Sequence, residues 1–390
     1  MSSRLQLRLP IEGGTLEEYT VSSETPLPVE IGLGFHSRVA YAAAHVVVDP
    51  LATRDPVNGA AIDWRPTLAF RRQLWAQGFG VAEAMDTAQR GMGLDWAGAR
   101  ELIRHACAEA RTERAAIACG ANTDQLDPTQ THSLEAVTAA YEEQCGVIED
   151  CGGRIILMAS RALAKCAKTA DDYARVYGSI LSQVRQPAIL HWLGEAFDPS
   201  LRGYWGGGST DESMGTCLSI IEANRANIDG VKISLLAPAR EVEMRRKLPS
   251  GVRMYTGDDF HYPELIAGDQ AGYSDALLGI FDAIAPAAAA AFRALDAGDS
   301  DRYRQLLDPT LALSRHIFQA PTYYYKTGLV FLSYLNGYQD HFHMLGGQQS
   351  ARSISHLASL FRHADRARLL INQELAVARM RNVLMLAGIE

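Results

Sequence analysis

The chain has 390 residues, 47% of them hydrophobic and 21% charged, with a formal net charge of −8. That balance is ordinary for a globular protein and argues against nucleic acid or an anionic membrane as the main partner, since both need a basic face. Cys107, Cys119, Cys145, Cys151, Cys166 and Cys217 include no C-x-x-C pair or zinc-ribbon spacing, and MSSRLQLRLPIEGG lacks the apolar core of a signal peptide, so free thiols in a reducing cytoplasm are expected.

In chain order, RLQLRLP-IEGG-TLEEYTVS alternates apolar and polar residues on both sides of Gly13–Gly14. It is expected to be a β-hairpin within an N-terminal extension, 1–36. A rhythm of short β-rich runs and amphipathic helices follows. The strand candidates are 39–49, 80–86, 114–120, 154–159, 187–193, 229–236, 252–257 and 271–278. Helical patterns lie at 67–77, 96–110, 133–150, 171–184, 214–226 and 238–247, with Ser133 and Thr169 placed as start signals. Eight apolar strands alternating with helices imply a parallel sheet closed into a (β/α)₈ TIM barrel over 37–285. No G-x-G-x-x-G follows a strand, which weakens a dinucleotide fold. From 286 to 390 the pattern is helical only, ending in one long helix over 364–387.

Within NIDGVKISLL (227–236), Lys232 interrupts an apolar run. Side chains alternate faces along a strand, so Val231, Ile233 and Leu235 suit outer helices, while Gly230, Lys232 and Ser234 face the barrel interior. A lysine held there is pressed toward its neutral form, and a neutral amine can form a Schiff base with a carbonyl. The alternative is a lysine near a strand end paired with a carboxylate.

The ordered motifs from about 40 to 300 resemble the dihydrodipicolinate synthase/N-acetylneuraminate lyase family. They are Gly230-Val231-Lys232, Thr256-Gly257-Asp258-Asp259, Gly268, Gly272 and Ser274, Pro286, and Gly298-Asp299, with RAAIACGANTD as a third strand and HVVVDPL as a first. The resemblance implies a TIM barrel followed by helices, Lys232 as the Schiff-base residue, no organic cofactor, and a homo-oligomer, dimer or tetramer. Two motifs depart from it. His191 falls where the family carries a proton-relaying tyrosine; imidazole could do that work, with an unperturbed pKa near 6.5. Met85-Asp86-Thr87-Ala88-Gln89 stands where G-T-T-G-E holds a pyruvate carboxylate. Asp86 would repel a carboxylate, so a neutral ketone, aldehyde or keto-sugar fits better than pyruvate.

The loop GEAFDPSLRGYWGGGSTDESMG offers Glu195, Asp198 and Tyr204 to a polyol, with Gly206–Gly208 as a flexible connector. Asp49, Asp86, Asp124, Glu195, Asp258 and Asp259, with His45 and His191, could instead assemble a divalent metal site. In PTYYYKTGLVFLSYLNGYQDHFHMLGG, Lys326 and the tyrosines are expected to be packing residues. The expected function is a Schiff-base lyase, aldolase or dehydratase, on a small keto acid, keto-sugar or related carbonyl compound. Lys232 and His191 would be catalytic; Asp86, Thr87, Asn122, Gly257, Asp258, Asp259, Asp49 and Glu195 would bind substrate, and no metal is assigned. The alternatives are a metal-dependent aldolase or isomerase on the same barrel, and a non-catalytic barrel that binds a carbonyl metabolite.

Overall fold

The computed structural model describes residues 5–11, 13–32, 34–53, 61–86 and 89–389. Strands β1 (Gln6–Pro10) and β2 (Leu16–Thr20) pair antiparallel across Gly13 and Gly14, whose φ of +95° and +81° suit a turn without side chains. Eight further strands follow: β3 (Ala40–Ala43), β4 (Gly80–Glu83), β5 (Ile117–Ala121), β6 (Arg154–Leu157), β7 (Ala188–Leu193), β8 (Ile228–Ser234), β9 (Arg253–Thr256) and β10 (Asp275–Leu278). They form one closed barrel in the order β10-β3-β4-β5-β6-β7-β8-β9, every pair parallel. This is the TIM barrel expected from the sequence.

The helices between strands from Trp64–Ala76 to Thr210–Ala223 start where short polar side chains satisfy free amides, whereas Pro238–Lys247 and Tyr262–Ala267 start with a proline at the first turn and no side-chain cap. Ser133 accepts from the Ala136 N–H, and Thr169 forms a capping box with Asp172. The strands divide by face. Ala42, Val81, Leu190, Val231 and Ile233 join the core beneath the outer helices, while Tyr41, Met85, Met158, Ile189 and Tyr255 form a separate cluster inside the barrel. Glycines admit the two interior tyrosines: a Cβ on Gly80 would lie 2.5 Å from the Tyr41 ring, and one on Gly230 2.7 Å from the Tyr255 ring. Gly230 therefore makes room for Tyr255 at the base of the barrel.

After the helix Phe281–Asp296, the chain continues as Ser300–Leu307, Leu311–Ile317, Tyr325–Leu335, Ile354–Arg366 and Gln373–Leu386. The single helix expected over 364–387 is two. Arg368 takes a left-handed φ of +60°, Asn336 ties down the break through the Leu369 carbonyl and the Ile371 N–H, and Asn372 caps the next helix by accepting from Leu375. The N-terminal hairpin packs on these helices: the Tyr19 hydroxyl donates to Asp365 at 2.7 Å, and Arg362 to the Pro10 carbonyl at 3.0 Å. All six cysteines are free. Among the described residues, no helix is long and apolar enough to cross a membrane.

Candidate active site

Lys232 sits in β8 with its neighbours Val231 and Ile233 in the outer core, and its own side chain inside the barrel, 5% exposed. A Cβ on Gly257 would lie 2.7 Å from Lys232 Cε and 2.6 Å from the Ile233 carbonyl oxygen, so glycine at the end of β9 is what lets the lysine stem pass. Among the described residues the one hydrogen bond of Nζ is to Met85 Sδ at 3.9 Å. Among the described residues no carboxylate forms an ion pair with it. Burial pushes the ammonium down, the charges of Asp86 and Asp259 oppose that shift, Lys326 adds to it, and the net direction is downward.

His191 is the register partner of Lys232 on β7. Its Nε2 lies 3.2 Å from Ser234 Oγ, and its buried Nδ1 has no partner among the described residues. Burial, and then the Lys232 charge, push the imidazole well below its ordinary value, so His191 is neutral. An imidazole titrating near 6.5 is therefore not what these surroundings make.

The turn after β9 separates two aspartates. Asp258 caps its own loop, accepting from the Phe260 N–H at 2.9 Å, the His261 N–H at 3.1 Å and His261 Nδ1 at 3.1 Å. Among the described residues the Asp259 carboxylate accepts a single bond, from the Ile280 N–H at 2.9 Å. Burial raises its carboxyl; the Ile280 N–H and Lys232 pull it back, Asp258 and Asp86 push it further, and it settles at about 7.

Asp86 is clamped from a distant part of the chain. The Tyr325 hydroxyl donates to Oδ1 at 2.5 Å, and Lys326 Nζ lies 2.6 Å from Oδ2. Lys326 also donates to the Ala43 carbonyl at 2.9 Å and stands 3.8 Å from Asp282, which holds His45 Nδ1 at 2.8 Å. Burial raises the Asp282 carboxyl, but His45 and Lys326 outweigh it and hold the group below its ordinary value. Burial first, then Asp86, lift the Tyr325 phenol well above its usual range, so it remains a donor. The packing role expected for Tyr325 and Lys326 thus gives way to a polar one. Tyr323 and Tyr324 remain half-buried as an edge-to-face pair.

The turn presenting Asp86 is braced beneath. Ala84 takes a left-handed φ of +50°, held by the Glu83 carboxylate accepting from its N–H at 3.0 Å. Glu83 is itself bound bidentately by the buried Arg71 at 2.8 and 2.9 Å. Arg90 donates to the Ala84 and Gly120 carbonyls, both at 3.0 Å, and pairs with Asp124.

The remaining candidates lie apart from Lys232 or are committed elsewhere. Asp49 is exposed, caps Leu51, and lines a surface cleft with Trp64, Asp95 and Glu101. Glu195 is an exposed ion-pair partner of Arg202 at 2.6 Å. Asn122, at the end of β5, spends Oδ1 on the Thr123 N–H. Thr87 lies outside the described residues. Asp198 pairs with Arg161 at 2.6 Å, and the Tyr204 hydroxyl is bound to Ser160 N–H and Tyr177, so neither is offered to a polyol. The glycines after Trp205 are closely packed rather than loose: a Cβ on Gly207 would meet the Ser213 nitrogen at 2.5 Å. Among the described residues no group of three or more His, Cys, Asp or Glu side chains is placed to hold a metal ion.

Comparison with known proteins places the chain. Residues 7–389 match the family model described as "Protein of unknown function (DUF993)", and the chain belongs to that family. No curated protein matches it. Solved structures similar to it include the 4-hydroxy-tetrahydrodipicolinate synthase of Methylacidiphilum fumariolicum SolV, at 16% identity and a TM-score of 0.65, covering 89% of this chain and 99% of that one. The dihydrodipicolinate synthase of Aquifex aeolicus matches at 13% identity and a TM-score of 0.64, covering 86% and 100%. A prophage protein of the dihydrodipicolinic acid synthase family from E. coli, solved in complex with pyruvate, matches at 12% and 0.63, covering 90% and 99%. At such identities the likeness speaks for the fold.

Proposed function

We propose that this DUF993 member is a Schiff-base-forming lyase, an aldolase or dehydratase acting on a small carbonyl compound. The observation that carries the proposal is Lys232: an inward-facing lysine without an ion-pair partner among the described residues, its amine pressed toward neutrality by burial, at the C-terminal end of a barrel strand. The dihydrodipicolinate synthase fold of the similar structures supports it.

In the proposed reaction the Lys232 Nζ lone pair attacks the substrate carbonyl carbon and forms a carbinolamine. Loss of water then gives the iminium, and a proton must reach the departing hydroxyl. Asp259, at about 7, is the group poised to hold that proton near neutrality. His191, neutral and beside Lys232, serves as a hydrogen-bonding partner rather than a proton carrier. For C–C cleavage the iminium accepts the electron pair of the Cα–Cβ bond as the β-hydroxyl loses its proton, and the resulting enamine is reprotonated at Cα. For C–O cleavage, loss of the Cα proton gives the enamine, which expels the β-hydroxyl, protonated as water, with the C–O electron pair. The imine is thus the electron sink without an organic cofactor, and water hydrolyses the product iminium from the lysine.

Borohydride reduction in the presence of a panel of aldehydes, ketones and keto acids tests the proposal. The expected result is a mass adduct on the peptide containing Lys232, absent from Lys232→Ala. Turnover of a carbonyl substrate by Lys232→Ala at the wild-type rate would sink it.

A further inference from the structure

The mouth of the barrel contains a carboxylate bound as a ligand would be bound, and that carboxylate belongs to the protein. Asp86 receives a hydroxyl hydrogen bond from Tyr325 on one oxygen and the Lys326 ammonium on the other, both side chains buried. Such a pair of charge-assisted contacts is what a site uses to hold an acid. Lys326 has nothing left over, since Asp86, the Ala43 carbonyl and Asp282 surround it. The other cations bracing this end of the barrel are also committed, Arg71 to Glu83 and Arg90 to Asp124.

The neighbouring wall is aromatic. Phe318 stacks on Tyr325 with centroids 4.5 Å apart, and Phe197 meets Tyr325 edge-on at 6.0 Å. Phe318 and Tyr325 press close to Gly279, where a Cβ would come within 3.1 Å of Phe318 and 3.3 Å of Tyr325. An incoming anion would meet apolar rings and the negative charges of Asp86 and Asp259 that already act on Lys232.

We propose that Asp86 permanently occupies the subsite in which a substrate carboxylate would be held, so that the natural substrate is a carbonyl compound without a carboxylate on its carbonyl carbon, a neutral aldehyde or hydroxyketone. The proposal rests on the imine chemistry above and adds the substrate class to it. It also assigns Tyr325 and Lys326 as specificity-determining residues supplied by the C-terminal helices. Replacing Asp86 by asparagine removes the built-in anion and leaves the Lys326 ammonium with only the more distant Asp282 as a charge partner, open to an external anion on that side.

The test uses twin carbonyl compounds of equal carbon number, glycolaldehyde against glyoxylate and hydroxyacetone against pyruvate, with cyanoborohydride and the full-length protein at neutral pH. Labelling of Lys232 is read by peptide mass. The neutral twin is expected to label Lys232 at least about tenfold faster, because a like charge juxtaposed in a buried site is strongly penalised. In Asp86→Asn the preference is expected to turn toward the carboxylate twin; should that variant not fold, the wild-type ratio decides alone. Equal or faster labelling by glyoxylate and pyruvate in the wild type overturns the proposal while leaving the imine intact. If neither twin labels Lys232, the imine itself falls, and the substrate class is then judged by the thermal shift each twin produces. A larger shift with the neutral twins supports it; an equal or larger shift with the carboxylates overturns it.

Discussion

Two buried lysines, Lys232 on β8 and Lys326 on the helix Tyr325–Leu335, reach the same end of the barrel with opposite surroundings. Lys326 is fully buried and has a carboxylate at 2.6 Å, a second at 3.8 Å and a backbone carbonyl at 2.9 Å. Lys232 is nearly as buried, but the one hydrogen-bond acceptor its amine finds among the described residues is a thioether sulfur at 3.9 Å. Burial is therefore not what separates the proposed nucleophile from the structural cation. The inventory of partners does, because paired charge keeps an ammonium protonated and desolvation without a pair does not.

The comparison can be broken at either lysine. Lys232→Ala is expected to reduce imine-dependent turnover by roughly 10³-fold or more while leaving the fold intact, since no ion pair is lost; steady-state kinetics and a melting curve check both halves. Lys326→Met should act first on stability. It strands Asp86 and Asp282 without their shared cation, and denaturant unfolding should register a loss of about 3–5 kcal/mol, as for breaking a buried pair.

Gly257→Ala sharpens the contrast from the backbone side. The added methyl would press on Lys232 Cε at 2.7 Å and on the Ile233 carbonyl at 2.6 Å. A cost of about 1–3 kcal/mol in stability is expected, together with slower labelling of Lys232 and unchanged labelling of exposed lysines. The smallest effect is on pH. Asp259, raised to about 7, is protonated below that value and ionised above it. Imine formation should therefore slow as pH rises through about 7, and Asp259→Asn should remove that limb from the pH–rate profile.

Much of this was legible in the sequence. All eight barrel strands fall within or beside the runs read from β-rich stretches, because buried parallel strands are short and apolar and most of the helices between them carry capping side chains. Alternation along β8 was enough to aim Lys232 inward, since period 2 leaves no third choice. The clamp on Asp86 was not legible. Tyr325 and Asp86 are 239 residues apart, and helical periodicity says that a face is buried without saying which end of which barrel it meets. The strand-end acids misled for a related reason: position at a strand end does not reveal that Asp124 will be taken by Arg90 or that Glu195 will turn outward to Arg202. The break after Arg366 did have a cue, since Asn372 followed by Gln373 and Glu374 is an N-cap pattern inside the apparent helix.

Competitive reductive labelling of the two lysines addresses the contrast most directly. The protein would be treated with formaldehyde and cyanoborohydride across a pH series, and the peptides carrying Lys232 and Lys326 quantified by mass. Lys232 should be modified, and at lower pH than the exposed lysines, while Lys326 stays unmodified until the protein unfolds. Modification of Lys326 in the folded protein, or an unreactive Lys232 throughout the series, would contradict the assignment of Lys232 as the nucleophile.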